Sequence, residues 1–167
     1  PKLAEVLINL ADGEIIWDPF CGSGTILQEA LLMGYKKIVG SDNSEKAVDA
    51  TRKNLEWLKK EFGFEGEYEI FKAGAEQITQ KLSLLRGWQN GVIVTEPYLG
   101  APKNRNISDE IRKIETLYRN ALMNWYTNFP NIKTAVMIWP VFIERSQSIY
   151  LSPSILTKNW IPQSVLP

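Results

Sequence analysis

Apolar residues along this chain switch between two spacings, and the switches mark its elements. Leu3, Val6, Leu7 and Leu10 recur at helical spacing, so residues 2–11 are expected to form an amphipathic helix, stopped by Asp12-Gly13. Ile15-Ile16-Trp17 is a short continuous apolar run, a buried strand that ends at Asp18. Helical spacing returns with Ile26, Leu27, Ala30, Leu31 and Met33 over residues 25–33, and Gly34 is placed as a left-handed stop. Residues 37–41 read as a second strand ending at Asp42. Residues 45–62 read as a helix with Val48, Thr51, Leu55, Leu58 and Phe62 on one stripe, Lys and Glu on the other, and Ser44 able to cap it.

The second half continues in the same way. Residues 68–72 alternate as a third strand, residues 76–85 suggest a helix, and the β-branched run 91–95 is a fourth strand, uncharged and buried. Ser108 is a candidate cap for a long helix, with Asp109 and Glu110 in its first turn and Ile111, Ile114, Tyr118, Ala121 and Trp125 on its stripe. Residues 134–139 form a fifth strand closed by Pro140. From Ser146 onward the periodicity fades.

Composition narrows the class. The 167 residues are 44% hydrophobic and 23% charged, which suits one globular domain with a sizeable core. A single Cys and no His exclude a disulfide framework and most zinc sites, and no apolar run reaches the roughly 20 residues of a membrane span. A cytoplasmic protein without membrane contact is expected. Lys plus Arg equals Asp plus Glu at 19 each, a low balance for a protein that must hold phosphates by itself. The chain opens at Pro1 without an initiator methionine and runs directly into a helix, so residues 1–167 are expected to be one domain cut from a longer protein.

The candidate chemistry begins at Asp18-Pro19-Phe20-Cys21-Gly22-Ser23-Gly24-Thr25, a strand, a glycine turn and a helix start in sequence. Gly22 and Gly24 lack a Cβ, so the backbone there can take positive φ and let a ligand lie against it. A carboxylate at the strand tip would repel a pyrophosphate, so Asp18 favours a cationic or zwitterionic ligand. Asp42 follows 24 residues later (42 − 18), near the offset at which a doubly wound fold sets an acid on a ribose. Its competing role is helix capping, since Asp42, Asn43 and Ser44 all precede a helix.

The stretch from Asp18 to Thr25 resembles the cofactor motif of class I S-adenosylmethionine-dependent methyltransferases. More narrowly, it resembles the branch that methylates exocyclic amines of nucleic-acid bases, including the THUMP-associated tRNA guanine-N2 enzymes. The resemblance covers about residues 1–140 and extends to the opening helix. It implies a Rossmann-like, doubly wound α/β fold with a mostly parallel sheet and helices on both faces. It also implies S-adenosyl-L-methionine as cofactor, with Asp18, Phe20, Cys21, Gly22, Gly24, Thr25, Asp42 and Asn43 around it. The family places an acid or amide on the adenine after the third strand. Gly74 stands there in this chain, and Glu76, two positions on, is the replacement candidate. A tRNA or other structured RNA is the implied partner, bound largely through a separate N-terminal domain, which would reconcile the neutral charge. The family fold ends in an antiparallel hairpin, for which Tyr150-Leu151 and Ser164-Val165-Leu166 are candidate pieces, and these last strands are also open to truncation.

A second constellation lies after the fourth strand. The resembling family carries Asp or Asn, Pro-Pro, then Tyr or Phe; this chain has Thr95-Glu96-Pro97-Tyr98-Leu99-Gly100. Either Glu96 takes the acid position or, one step earlier, Thr95 does. A base amine shares its lone pair with the ring, so its N–H protons must be accepted by a carboxylate and a rigid carbonyl while an aromatic face stacks the base. Glu96, Pro97 and Tyr98 meet those demands, which favours Glu96 as the acid and Tyr98 as the stacking face. Cys21 has no His to activate it and reads as packing. Lys103 and Arg105 are candidate phosphate contacts. Trp17, Trp57 and Trp139 are expected in the core, Trp88, Trp125 and Trp160 as surface platforms. The alternatives are a DNA adenine or cytosine amino-methyltransferase and a non-catalytic module that holds cofactor or RNA.

Overall fold

The computed structural model describes residues 2–63, 65–78, 90–101, 106–144, 146–156 and 159–163. In chain order the elements are α1 (Lys2–Asn9), β1 (Ile15–Asp18), α2 (Thr25–Leu32), β2 (Lys37–Asp42), α3 (Glu45–Phe62), β3 (Glu67–Lys72) and β4 (Gly91–Thr95). After them come α4 (Ile107–Asn128), β5 (Thr134–Met137), β6 (Val141–Glu144), β7 (Gln147–Tyr150) and a short 3-10 turn at Pro153–Ile155. The first five strands form one parallel sheet in the order β3-β2-β1-β4-β5. That is the doubly wound α/β arrangement expected. The order in which strands are added reverses between β1 and β4, with all five strands still parallel, and it is outside the carboxyl ends of such strands that ligands bind.

Strand periodicity divides the core in two. In register, Trp17 lies beside Val39 and Ile93, and Ile16 beside Ile38 and Val92. Because side chains alternate across a strand, the first trio faces α4 and the second faces α1, α2 and α3. Every residue of β1 and β4 is buried, as expected for central strands of a parallel sheet covered on both faces. Among the described residues, no helix is long and apolar enough to cross a membrane.

Several expectations are corrected. Helix α1 buries Ala4, Leu7 and Ile8, while Leu3, Val6 and Leu10 are exposed. The segment is apolar nearly all round, so two stripes shared Leu7, and the small Ala4 is on the side that packs against the rest. Phe62 is the last residue of α3 before the left-handed Gly63, past the covered part of the stripe, and is exposed with its ring against Trp57. Trp57 itself is exposed, because it lies two positions from Leu55, about 200° round the helix. Trp125 is buried at 1% exposure with its indole N–H donated to the Ala75 carbonyl, and half-buried Trp160 donates to the Leu122 carbonyl. Neither is a free surface platform. The cap of α4 is Asn106, whose side chain accepts from the Asp109 N–H, so Ser108 is already inside the helix.

Strand β5 ends at Met137, and the next two strands form an antiparallel hairpin of their own. Val141 pairs with Tyr150, and Leu151 falls just beyond, buried. Most of the expected 76–85 helix, Trp88, Lys103, Arg105 and the 164–166 piece lie outside the described residues; Glu76 itself sits in a turn.

Candidate active site

The loop after β1 is held from several sides. Asp18 is 2% exposed, and its Oδ1 accepts from the Thr95 hydroxyl at 2.6 Å and from the Phe20 N–H at 3.1 Å. Burial pushes its carboxyl up to about 7 against the opposing effect of those bonds. Asp18 therefore ties β1, its loop and β4 together from below. Cys21 donates its N–H to the Ser41 carbonyl, and its sulfur lies 3.6 Å from the Thr51 hydroxyl. Burial pushes the Cys21 thiol up to about 12, which removes it as a nucleophile.

From α3, Thr51 donates its hydroxyl to the Gly22 carbonyl at 2.8 Å and Asn54 donates to the Ser23 carbonyl at 2.9 Å. Both glycines need their missing side chain, for different reasons. Gly22 has φ +53° with open space where a Cβ would stand; Gly24 has φ +84°, and a Cβ there would come within 2.8 Å of the Thr51 methyl. Gly24 is also the residue from which α2 starts, at Thr25.

Asp42 joins this loop to β2. Its Oδ2 accepts from the Gly22 N–H at 3.0 Å and its Oδ1 from the Ser44 N–H at 2.9 Å, while Ser44 caps α3 through the Ala47 N–H. Asp42 thus shapes the turn before the helix without being its cap. Each carboxylate oxygen keeps a further lone pair for a ligand.

A cavity of about 470 Å³ opens above these strand ends, lined by Pro19, Phe20, Asp42, Asn43, Ala75, Glu76, Glu96, Pro97, Tyr98 and Leu117. The candidates from both motifs thus meet in one space. Asp18, Cys21, Gly22, Gly24 and Thr25 do not line it; they form the support behind it. Of the two registers for the second motif, only that with Glu96 in the acid position has its acid in the cavity wall, because Thr95 is fully buried and bonded to Asp18. Pro97 is buried, and the Tyr98 ring is 48% exposed. Sequence reasoning missed Ala75 and Leu117 as lining residues and Thr51 as the loop's anchor. A polar residue on the otherwise apolar stripe of α3 was the available signal for Thr51.

Comparison with known proteins gives the family and the fold. Residues 1–140 match the model of the UPF0020 family, described as an RMKL-like methyltransferase domain. A tRNA (guanine(10)-N2)-dimethyltransferase of Methanothermobacter thermautotrophicus is 32% identical over 149 residues, covering 86% of this chain and 39% of the relative. The corresponding Methanocaldococcus jannaschii protein is 35% identical, over 70% of this chain and 33% of its own length. The chain thus spans well under half the length of these relatives. Among solved structures, the rRNA methyltransferase AviRa of Streptomyces viridochromogenes aligns with a TM-score of 0.60 at 19% identity, over 91% of this chain and 76% of its own. TrmN of Thermus thermophilus aligns at 0.53 and 20% identity, over 96% and 41%. These two likenesses show the fold. By the span of the family match and the curated relatives together, the chain belongs to the UPF0020 family of RMKL-like methyltransferase domains.

Proposed function

We propose that this domain transfers a methyl group from S-adenosylmethionine to an exocyclic base amine of RNA, guanine N2 in tRNA. The observation that carries the reading is that one cavity joins Asp42 and Asn43, at the end of β2, with Glu96, Pro97 and Tyr98, at the end of β4. The names of the curated relatives point to the same reaction and to the guanine at position 10.

The residues present fit the cofactor. Gly22 leaves open space beside a positive-φ turn, and Asp42 and Asn43 bring carboxyl and amide groups to the cavity wall. Asp42 would accept from ribose hydroxyls. Glu76 lines the same wall close to Gly74, where it can meet a base edge in place of the usual acid. When bound, S-adenosylmethionine supplies an electrophilic methyl group on a sulfonium. On the acceptor side, Glu96 and the carbonyl of buried Pro97 would each accept a hydrogen bond from one amine N–H, Glu96 would take the single proton lost as the methyl is transferred and S-adenosylhomocysteine leaves, and Tyr98 offers its exposed ring to the base. Drawing the N–H bonds to fixed acceptors pulls the nitrogen lone pair out of conjugation and aligns it for in-line attack. The neutral charge supports a reading in which much of the tRNA affinity lies outside this span, in the longer protein to which its relatives' lengths point.

The test uses the full-length protein with labelled cofactor and tRNA. Transfer is expected to tRNA carrying guanine at the target position and to vanish when inosine, which lacks the 2-amino group, replaces it. Equal transfer to the inosine transcript would refute the N2 assignment. Preference for a DNA duplex would move the enzyme to the DNA branch. Cofactor or tRNA binding without transfer would leave a non-catalytic module.

A further inference from the structure

Only two carboxyl side chains are buried among the described residues: Asp18 and Glu110. Asp18 holds the loop after β1. Glu110, in the first turn of α4 and 5% exposed, holds the loop after β4. Its Oε1 accepts the Tyr98 hydroxyl at 2.8 Å and the Ala101 N–H at 3.2 Å. Two turns along the same face, the Tyr118 hydroxyl donates to the Tyr98 carbonyl at 3.0 Å. Between them Ile114 packs so close that a Cβ on Gly100 would meet it at 3.2 Å. Tyr98 is therefore fastened to α4 at its carbonyl and at its ring tip, while the ring remains 48% exposed beside the cavity. The bond to Glu110 also holds the phenol above its ordinary 10.0, so it stays a donor.

A buried carboxyl is costly unless its hydrogen bonds are made. If Glu110 served only to start a helix, it could sit in solvent like Asp109, where the dipole effect is as available. We infer that Glu110 is a positioning residue for the methyl acceptor, setting the tilt of the Tyr98 ring on which the target base rests. This rests on the functional reading above. Glu110 touches neither substrate; it acts through Tyr98 and the Ala101 amide.

The experiment compares the full-length wild-type protein with E110A, E110Q, Y98F and the E110A/Y98F pair, by steady-state methyl transfer to tRNA and by hydrogen exchange. E110A is expected to raise KM for tRNA about 10-fold and leave cofactor affinity within about twofold, since an orientation contact is lost away from the donor side. E110Q keeps an oxygen acceptor for both donors and should stay within about threefold of wild type. Y98F removes the same bond from its other end, and the pair should be no more than about twofold worse than E110A alone. Exchange at the Ala101 amide should accelerate in E110A and not in E110Q. Wild-type KM in E110A or Y98F, effects that multiply in the pair, or unchanged Ala101 exchange in E110A would overturn the assignment. Should E110A fail to fold, Y98F and E110Q carry the test. A wild-type protein that methylates no RNA while E110A loosens Ala101 overturns the functional reading and supports the clamp.

Discussion

At the scale of single residues, the acids divide by burial, and burial decides what each can do. Asp18 and Asp42 look alike in sequence, one at the tip of each strand, yet Asp18 is sealed beneath the site and Asp42 lines it. The Asp18 carboxyl rises from 3.8 to about 7, so between those values the folded state holds a proton that the unfolded chain releases. Its contribution is therefore fully present at low pH and is lost as pH rises through about 7. Asp18→Asn keeps an oxygen for the Thr95 and Phe20 donors and does not titrate. Urea unfolding at about pH 5 and about pH 8 should show the variant gaining on wild type as pH rises, and a pH-independent difference would reject the shift. Asp42→Ala should weaken cofactor binding about tenfold by calorimetry, with a modest loss of melting temperature from the freed Gly22 and Ser44 amides. Unchanged affinity would confine Asp42 to shaping the turn. Glu96→Gln should lower methyl transfer about 100-fold while cofactor affinity holds within twofold, and full activity would move the acceptor role elsewhere.

At the scale of elements, helix α3 works as a brace for the glycine loop. Its stripe packs through Val48, Leu55 and Leu58, and Thr51 interrupts that stripe to bond the Gly22 carbonyl. The fit is tight enough to test. Gly24→Ala places a methyl against Thr51 in a left-handed conformation, which should destabilise the fold by about 2–4 kcal/mol. Thr51→Ser in the same background removes the clashing methyl, keeps the hydroxyl and should recover part of that loss. Urea unfolding of the single and double variants reads both; no recovery would place the strain elsewhere. Helix limits were legible where punctuation was strong. Residues 45–62 are bounded by Ser44 and Gly63, and the expected and observed ends coincide. For α1, apolar on most sides, periodicity could not choose the buried face. For α4, Asn106 and Ser108 are both residue types that cap, and in the fold it is the Asn106 side chain that accepts from the Asp109 N–H.

At the scale of the whole molecule, a chain of zero formal net charge presents the cavity to which the proposed function brings a polyanion. Phosphate contacts release counterions, so affinity carried by basic residues falls steeply with salt. On the proposed reading, with much of the tRNA affinity outside this span, a longer protein carrying that affinity should bind tRNA with a steep salt dependence and residues 1–167 alone with a much shallower one. Filter binding across a salt series checks this; equal slopes would place the phosphate contacts inside this span. The β6–β7 hairpin also stands apart from the parallel sheet, which local pattern did not foresee: its strands are four residues each, mostly exposed, and carry little alternation to read.

By itself the amino-acid sequence determined the five strands from β1 to β5 and the two motifs, because hydrophobic period, glycine punctuation and acid placement are local properties of the chain, and the parallel α/β class followed from the family resemblance that the motifs carry. It could not separate the residues that line the cavity from those that support them. That division depends on which side chains meet across distant segments: Asp18 with Thr95, Gly22 with Asp42 and Thr51, Tyr98 with Glu110. Only the closed fold, by excluding water from one set of acids and leaving the other set beside the cavity, decided which brace the cavity and which line it.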